Sequence, residues 1–185
     1  MIVSKGVIIV EDAYIKNKAE EVLSRTNYTN DYSVDIIRIA HDLGFTVVNA
    51  ELDDSLEGFI VIDERTRELF GQDNNKIIGV NSALPLETKR FTIAHEIGHY
   101  ALHYDANVNE GLYAHRDHKK GKSPYENEAD FFAANLLMPE NRFRQNYMDL
   151  KGAGLSNEEM IILLSKRFLV NCIAVTRRIE ELELA

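Results

Sequence analysis

The sequence predicts an α+β fold in which a short twisted sheet packs on two buried helices, with two further short helices forming a C-terminal tail. Three observations carry that prediction. Phe91, Ile93, Ala94, Ile97, Ala101 and Leu102 surround His95-Glu96-x-x-His99 at helical spacing. Ala129, Phe132, Ala133, Leu136 and Leu137 repeat the pattern behind a group of acids. Upstream of both lie three short β-branched runs with turn chemistry between them.

At 185 residues and 45% hydrophobic, the chain can bury one proper core. We expect a main domain over residues 1–150 and a helical tail over residues 155–185. The formal net charge of −9 disfavours association driven by nucleic-acid phosphates or anionic lipid. Cys172 is the single cysteine, so neither an intramolecular disulfide nor a cysteine-rich metal site can form, and the cytoplasm is the expected compartment. The apolar cluster Val7 to Val10 is too short for an export signal, and no run approaches the roughly 18 apolar residues that span a bilayer. No membrane association is expected.

Glu11 to Leu23 suits a surface helix, followed by a loop from Ser24 to Tyr32. Ser33 is placed to cap a helix from Val34 to Leu43, with Gly44 stopping it. Phe45 to Val48 reads as a strand. Gly58 to Asp63 and Lys76 to Asn81 read as two more, paired as a hairpin across Gly71-Gln72-Asp73-Asn74-Asn75. The strand ending at Asn81 is either an exposed edge, to which an extended polypeptide could add, or an ordinary core strand. Tyr104 to Tyr125 reads as a long irregular connection. Its His115 and His118 suit solvated loop positions, and Tyr104, Tyr113, His115 and His118 are the candidates for steadying a charged intermediate.

Helical residues four apart lie about 40° off one line and about 6 Å along the axis, so His95 and His99 can share one ion. Neutral imidazoles and a position left for water suit Zn²⁺. Glu96, rotated by about 100° from His95, is placed to be a general base and not a ligand. The plainer alternative is an amphipathic helix with two chance histidines. Against it, polar side chains in so apolar a segment are costly unless something pairs them.

The third ligand is expected from the acidic, otherwise apolar helix that follows. Glu126 and Asp130 share a face, while Glu128 points about 200° from Glu126. Glu126 is assigned to the metal, and Asp130 to accepting the N–H of a ligating histidine. Glu128 is the rival ligand. Without a metal, Glu126 would be an acid well placed at a helix N-terminus and Asp130 a solvated residue.

In the tail, Ser156 with Glu159 forms a capping box for a helix carrying Met160, Ile161, Leu163, Leu164 and Phe168. Val170-Asn171 marks a turn, and Ile173 to Leu182 a second helix with Arg177 and Arg178. Such a pair is helix-turn-helix-like and would contact DNA through its second helix. The scarcity of basic residues favours packing instead, and Cys172 is expected to pack there too.

These residues resemble the ImmA/IrrE-type metallopeptidases, whose core is similar to gluzincins such as thermolysin. The resemblance is carried by Arg90-Phe91-Thr92-Ile93-Ala94-His95-Glu96-Ile97-Gly98-His99 and by Glu126-x-x-Ala129-Asp130-x-Phe132-Ala133-Ala134-x-Leu136-Leu137-Met138-Pro139. Glu126 and Asp130 match the Glu-x-x-x-Asp of the gluzincin ligand helix. The resemblance implies a zincin-like core, Zn²⁺ held by His95, His99 and Glu126, Glu96 as catalytic base and Asp130 behind a histidine ligand. It further implies a cytosolic endopeptidase of bacteria or their mobile elements that cuts a helix-turn-helix repressor and releases transcription. Some relatives carry a sensor-like domain after the tail, which this sequence is expected to lack. The alternative is a non-catalytic, metal-stabilised partner of a repressor or antitoxin, although a structural zinc has no need of Glu96.

Overall fold

The computed structural model describes residues 5–25, 33–66, 75–104, 112–117 and 123–184. The first part of the chain forms α1 (Lys5–Arg25), α2 (Ile36–Asp42), β1 (Thr46–Ala50), β2 (Leu56–Ile62) and β3 (Lys76–Asn81). There follow α3 (Leu86–His103), β4 (Leu112–Asp117), α4 (Pro124–Leu137), α5 (Glu140–Gly152), α6 (Asn157–Phe168) and α7 (Cys172–Glu181). The fold is α+β, as the sequence predicts. The loop expected after α1 lies, from residue 26 to residue 32, outside the described residues. None of the described helices is long and apolar enough to cross a membrane.

The sheet has the order β1-β3-β2-β4. β1 runs parallel to β3 with Val48 opposite Gly79, and β2 pairs antiparallel with β3, setting Ile60 opposite Ile78. The expected hairpin pairing is therefore present, while its turn from Gly71 to Asn74 lies outside the described residues. β3 is interior, paired on both sides, with Ile77, Ile78 and Val80 buried. The core reading of this strand holds, and the edge reading fails because its backbone groups are already engaged.

The outer strand beside β2 is β4, with Ala114 opposite Ile60, in the stretch expected to be irregular. Its sequence, Leu112-Tyr113-Ala114-His115-Arg116-Asp117, shows little apolar alternation. An outer strand needs less, since among the described residues only one side of its backbone is paired.

α3 is the central helix. Glu87 stands in its first turn, where an acid complements the helix dipole, and every residue from Thr92 to His99 is buried. Its polar Arg90 is buried as well, donating to the Val34 carbonyl at 2.6 Å and to the Leu169 carbonyl at 3.1 Å. α3 lies on the sheet with the Thr92 methyl against Gly58 of β2. α4 crosses beside it, capped by Ser123 with Pro124 in the first turn, and buries Ala129, Phe132, Ala133, Leu136 and Leu137.

Capping differs from expectation in α2, where the Asp35 side chain accepts from Arg38 N at 3.1 Å in place of Ser33. Gly44 follows at φ +84°, the expected stop. The Ser156–Glu159 capping box of α6 is formed. α5 goes beyond the sequence reading, although Phe143, Tyr147 and Leu150 recur on one face and are buried. Leu164, Phe168, Val175 and Ile179 of the last two helices join the same core, with the Phe143 and Phe168 rings 5.4 Å apart. Cys172, expected to pack in this unit, is instead exposed in the first turn of α7.

Candidate metal centre

The helical repeat of α3 sets His95, His99 and His103 along one stripe, and α4 crosses it with Glu126, Asp130 and Glu128 in reach. Nε2 of His95 lies 3.1 Å from Nε2 of His99. Glu126 Oε2 is 3.2 Å from the first of these nitrogens, and Glu126 Oε1 is 3.2 Å from the second. Two imidazole nitrogens and one carboxylate, from two helices, thus form a triangle in which each nitrogen meets a different carboxylate oxygen. Donors in a tetrahedral N/O shell with bonds of about 2.0 to 2.1 Å stand about 3.3 Å apart, so each of these separations is compatible with zinc.

The hydrogen-bond chemistry agrees with that fit. Nδ1 of His95 donates to Asp130 Oδ1 at 2.9 Å. Neutral His95 then carries its lone pair on Nε2, facing the Glu126 carboxylate. Burial, reinforced by the neighbouring His95, holds His99 down to about 4, so its ring is neutral near pH 7 and able to bind a cation. Glu96, the residue between, is fully buried. The histidine side chains are at most 5% exposed, whereas the Glu126 side chain is 27% exposed, so the group reaches solvent on the α4 side.

The family model Peptidase_M78, described as the IrrE N-terminal-like domain, matches residues 40–180. The chain belongs to this family. Over 130 residues this M78 chain is 28% identical to "Uncharacterized immunity region protein 2" of Bacillus phage phi105, a match covering 68% of the chain and 69% of the phage protein. Its fold is similar to that of a Mycobacterium tuberculosis transcriptional regulator, with a TM-score of 0.53 and 17% identity. That likeness covers 92% of the M78 chain but 46% of the regulator, about half its length. Membership makes the protein metallopeptidase-like, and among the described residues His95, His99 and Glu126 are a group that could hold a metal.

The structure brings together four of the residues singled out by sequence in this M78 chain: His95, His99, Glu126 and Asp130. Glu128 is not in the triangle; its Oε2 lies 2.9 Å from His103 Nε2. Among the candidates for steadying an intermediate, Tyr104 stacks on Tyr100 with ring centroids 5.6 Å apart. Tyr113 and His115 fall on β4, their side chains outside the described residues, as is all of His118. Sequence reasoning passes over His103. Its signal is nonetheless legible, since it continues the four-residue spacing of His95 and His99 by one more turn.

Proposed function

We propose that this M78 family member is a zinc-dependent endopeptidase that cleaves a protein, a helix-turn-helix repressor, and so derepresses genes of a bacterial mobile element or stress response. It would act in the cytoplasm, where such a repressor resides. The observation that carries the reading is the convergence of His95, His99 and Glu126 to 3.1–3.2 Å, with buried Glu96 in the turn between the two histidines. The phage immunity-region relative supports a repressor as substrate.

His95, His99 and Glu126 would hold the zinc. When bound, such an ion polarises a carbonyl and lowers the pKa of water toward about 7. Glu96 takes the proton of the attacking water on a carboxylate oxygen and delivers it to the departing amine nitrogen. Asp130, accepting from His95 Nδ1, keeps the lone pair of Nε2 turned inward. The unit carrying this chemistry spans residues 1–150, and residues 155–185 brace it. Arg178 in that tail is committed to the Met138 carbonyl and the Asn135 side chain, which favours packing over DNA contact.

The test incubates helix-turn-helix repressors of the source genome, any neighbouring one first, with the zinc-loaded protein and with Glu96→Gln. The variant is expected to retain zinc and repressor binding while cleavage falls by several orders of magnitude. Cleavage at the unaltered rate would remove Glu96 from the chemistry. Tight binding with no cleavage by the zinc-loaded parent would favour sequestration of the repressor.

A further inference from the structure

We infer that His103 and Glu128 are positioning residues that orient His99, as Asp130 orients His95. The inference rests on the reading of His99 as a metal ligand. Nδ1 of His103 lies 3.1 Å from Nδ1 of His99, and Nε2 of His103 lies 2.9 Å from Glu128 Oε2. Both nitrogens of the His103 ring are engaged, and the Tyr125 ring packs against it edge to face with centroids 4.9 Å apart. A solvated histidine at a helix end, merely complementing the dipole, would not be held from three sides.

The protons along this chain are fixed by what each group can do. An ionised carboxylate only accepts, so His103 donates to Glu128 from Nε2. Neutral His103 is then an acceptor at Nδ1, and His99 must donate to it from its own Nδ1. That leaves the His99 lone pair on Nε2, the atom 3.1 Å from His95 Nε2 and 3.2 Å from Glu126 Oε1. Asp130 imposes the same tautomer on His95 directly. Each histidine of the triangle therefore ends in a carboxylate of α4, His95 in one step and His99 in two.

The two carboxylates stand two residues apart on α4, Glu128 and Asp130, on either side of Ala129. α4 would thus supply a ligand through Glu126 and the orientation of both histidines through the next turn. Breaking such outer partners typically weakens a metal site by roughly 10- to 100-fold.

The experiment measures zinc affinity against a chromophoric chelator at neutral pH, together with the tautomer of His99 by long-range proton–nitrogen NMR of the metal-free protein. His103→Leu should weaken zinc by roughly 10- to 100-fold. Glu128→Leu, at a partly exposed side chain where folding is not at stake, should shift affinity in the same direction and leave His99 in mixed tautomers. His103→Asn, whose side-chain oxygen replaces the Nδ1 acceptor, should recover most of the affinity, and Glu128→Gln, which still accepts, should change little. Unaltered zinc affinity with a single unaltered His99 tautomer in both leucine variants would overturn the inference. Failure of the unmutated protein to bind zinc would instead overturn the ligand reading on which it rests.

Discussion

Gly98 of α3 lies against the backbone of Ala129 in α4, so close that a methyl group at position 98 would stand 3.1 Å from the Ala129 Cα and 3.2 Å from its carbonyl oxygen. The same methyl would lie 3.2 Å from a ring carbon of Phe132. This contact sets how near the histidine-bearing helix comes to the helix of Glu126. In an isolated helix Gly→Ala gains about 1 kcal/mol, but overpacking a rigid contact costs roughly 1–3 kcal/mol. Two of the atoms met are backbone and cannot rotate away, so Gly98→Ala is expected to lower stability by about 1 kcal/mol. It should also weaken zinc by spreading His95 and His99 from Glu126. Thermal unfolding of the metal-free protein and zinc titration check both, and a raised melting temperature would contradict the packing argument.

The guanidinium of Arg178 is fully buried, donating to the Met138 carbonyl at 2.9 and 3.2 Å and to Asn135 Oδ1 at 2.9 Å. Met138 closes the C-terminal end of α4, where a cation complements the helix dipole. Glu181 supplies the countercharge at 2.5 Å. Arg178→Ala leaves these acceptors buried and unmatched, so unfolding free energy should fall by about 3 kcal/mol. For a chain of this size that lowers the melting temperature by roughly 10 °C. Arg177→Ala, at an adjacent residue less deeply placed, should change stability by less than about 0.5 kcal/mol. Equal effects from the two would show that Arg178 is not the anchor described.

Acid should destabilise the metal-free protein through His99. Burial first, and the neighbouring His95 second, pull this ring from its ordinary 6.5 to about 4 in the folded chain. Between these values the unfolded chain binds the proton and the folded one does not, so protonation favours unfolding. The contribution of His99 to stability is therefore expected to be full above about pH 6.5 and to fall by about 1 kcal/mol per pH unit toward pH 4, where its loss levels off. Urea unfolding at neutral and mildly acidic pH reads this directly, and His99→Gln should flatten the profile.

The elements best legible in the sequence are those whose chemistry is local. A helix carrying His95-Glu96-x-x-His99, a capping box at Ser156 and Glu159, and the strands either side of Gly71 to Asn75 each announce themselves within a few residues. β4 does not, because its place is decided by the available edge of β2 and not by any alternation of its own. The helix after Pro139 is hidden differently. Phe143, Tyr147 and Leu150 are properly spaced, but the polar residues around them, Arg142, Arg144 and Gln145 among them, mask the stripe.

For the acids of the ligand helix the sequence assigns Glu126 to the triangle and Asp130 to a histidine behind it, but leaves Glu128 as a rival ligand and says nothing of its partner. Glu126 and Glu128 differ by two residues in sequence, and only the crossing of α3 over α4 turns one toward the triangle and the other toward His103.

Arg90 gives this architecture a temporal side. Its guanidinium spans from the carbonyl of Val34 to that of Leu169, and Arg178 reaches back to the end of α4. A nascent chain that has emerged only as far as Phe168 holds every ligand candidate but lacks both of these late fastenings. Two of the fastenings that seat the ligand-bearing helices, at the Leu169 carbonyl and at Arg178, therefore come only from residues beyond Phe168.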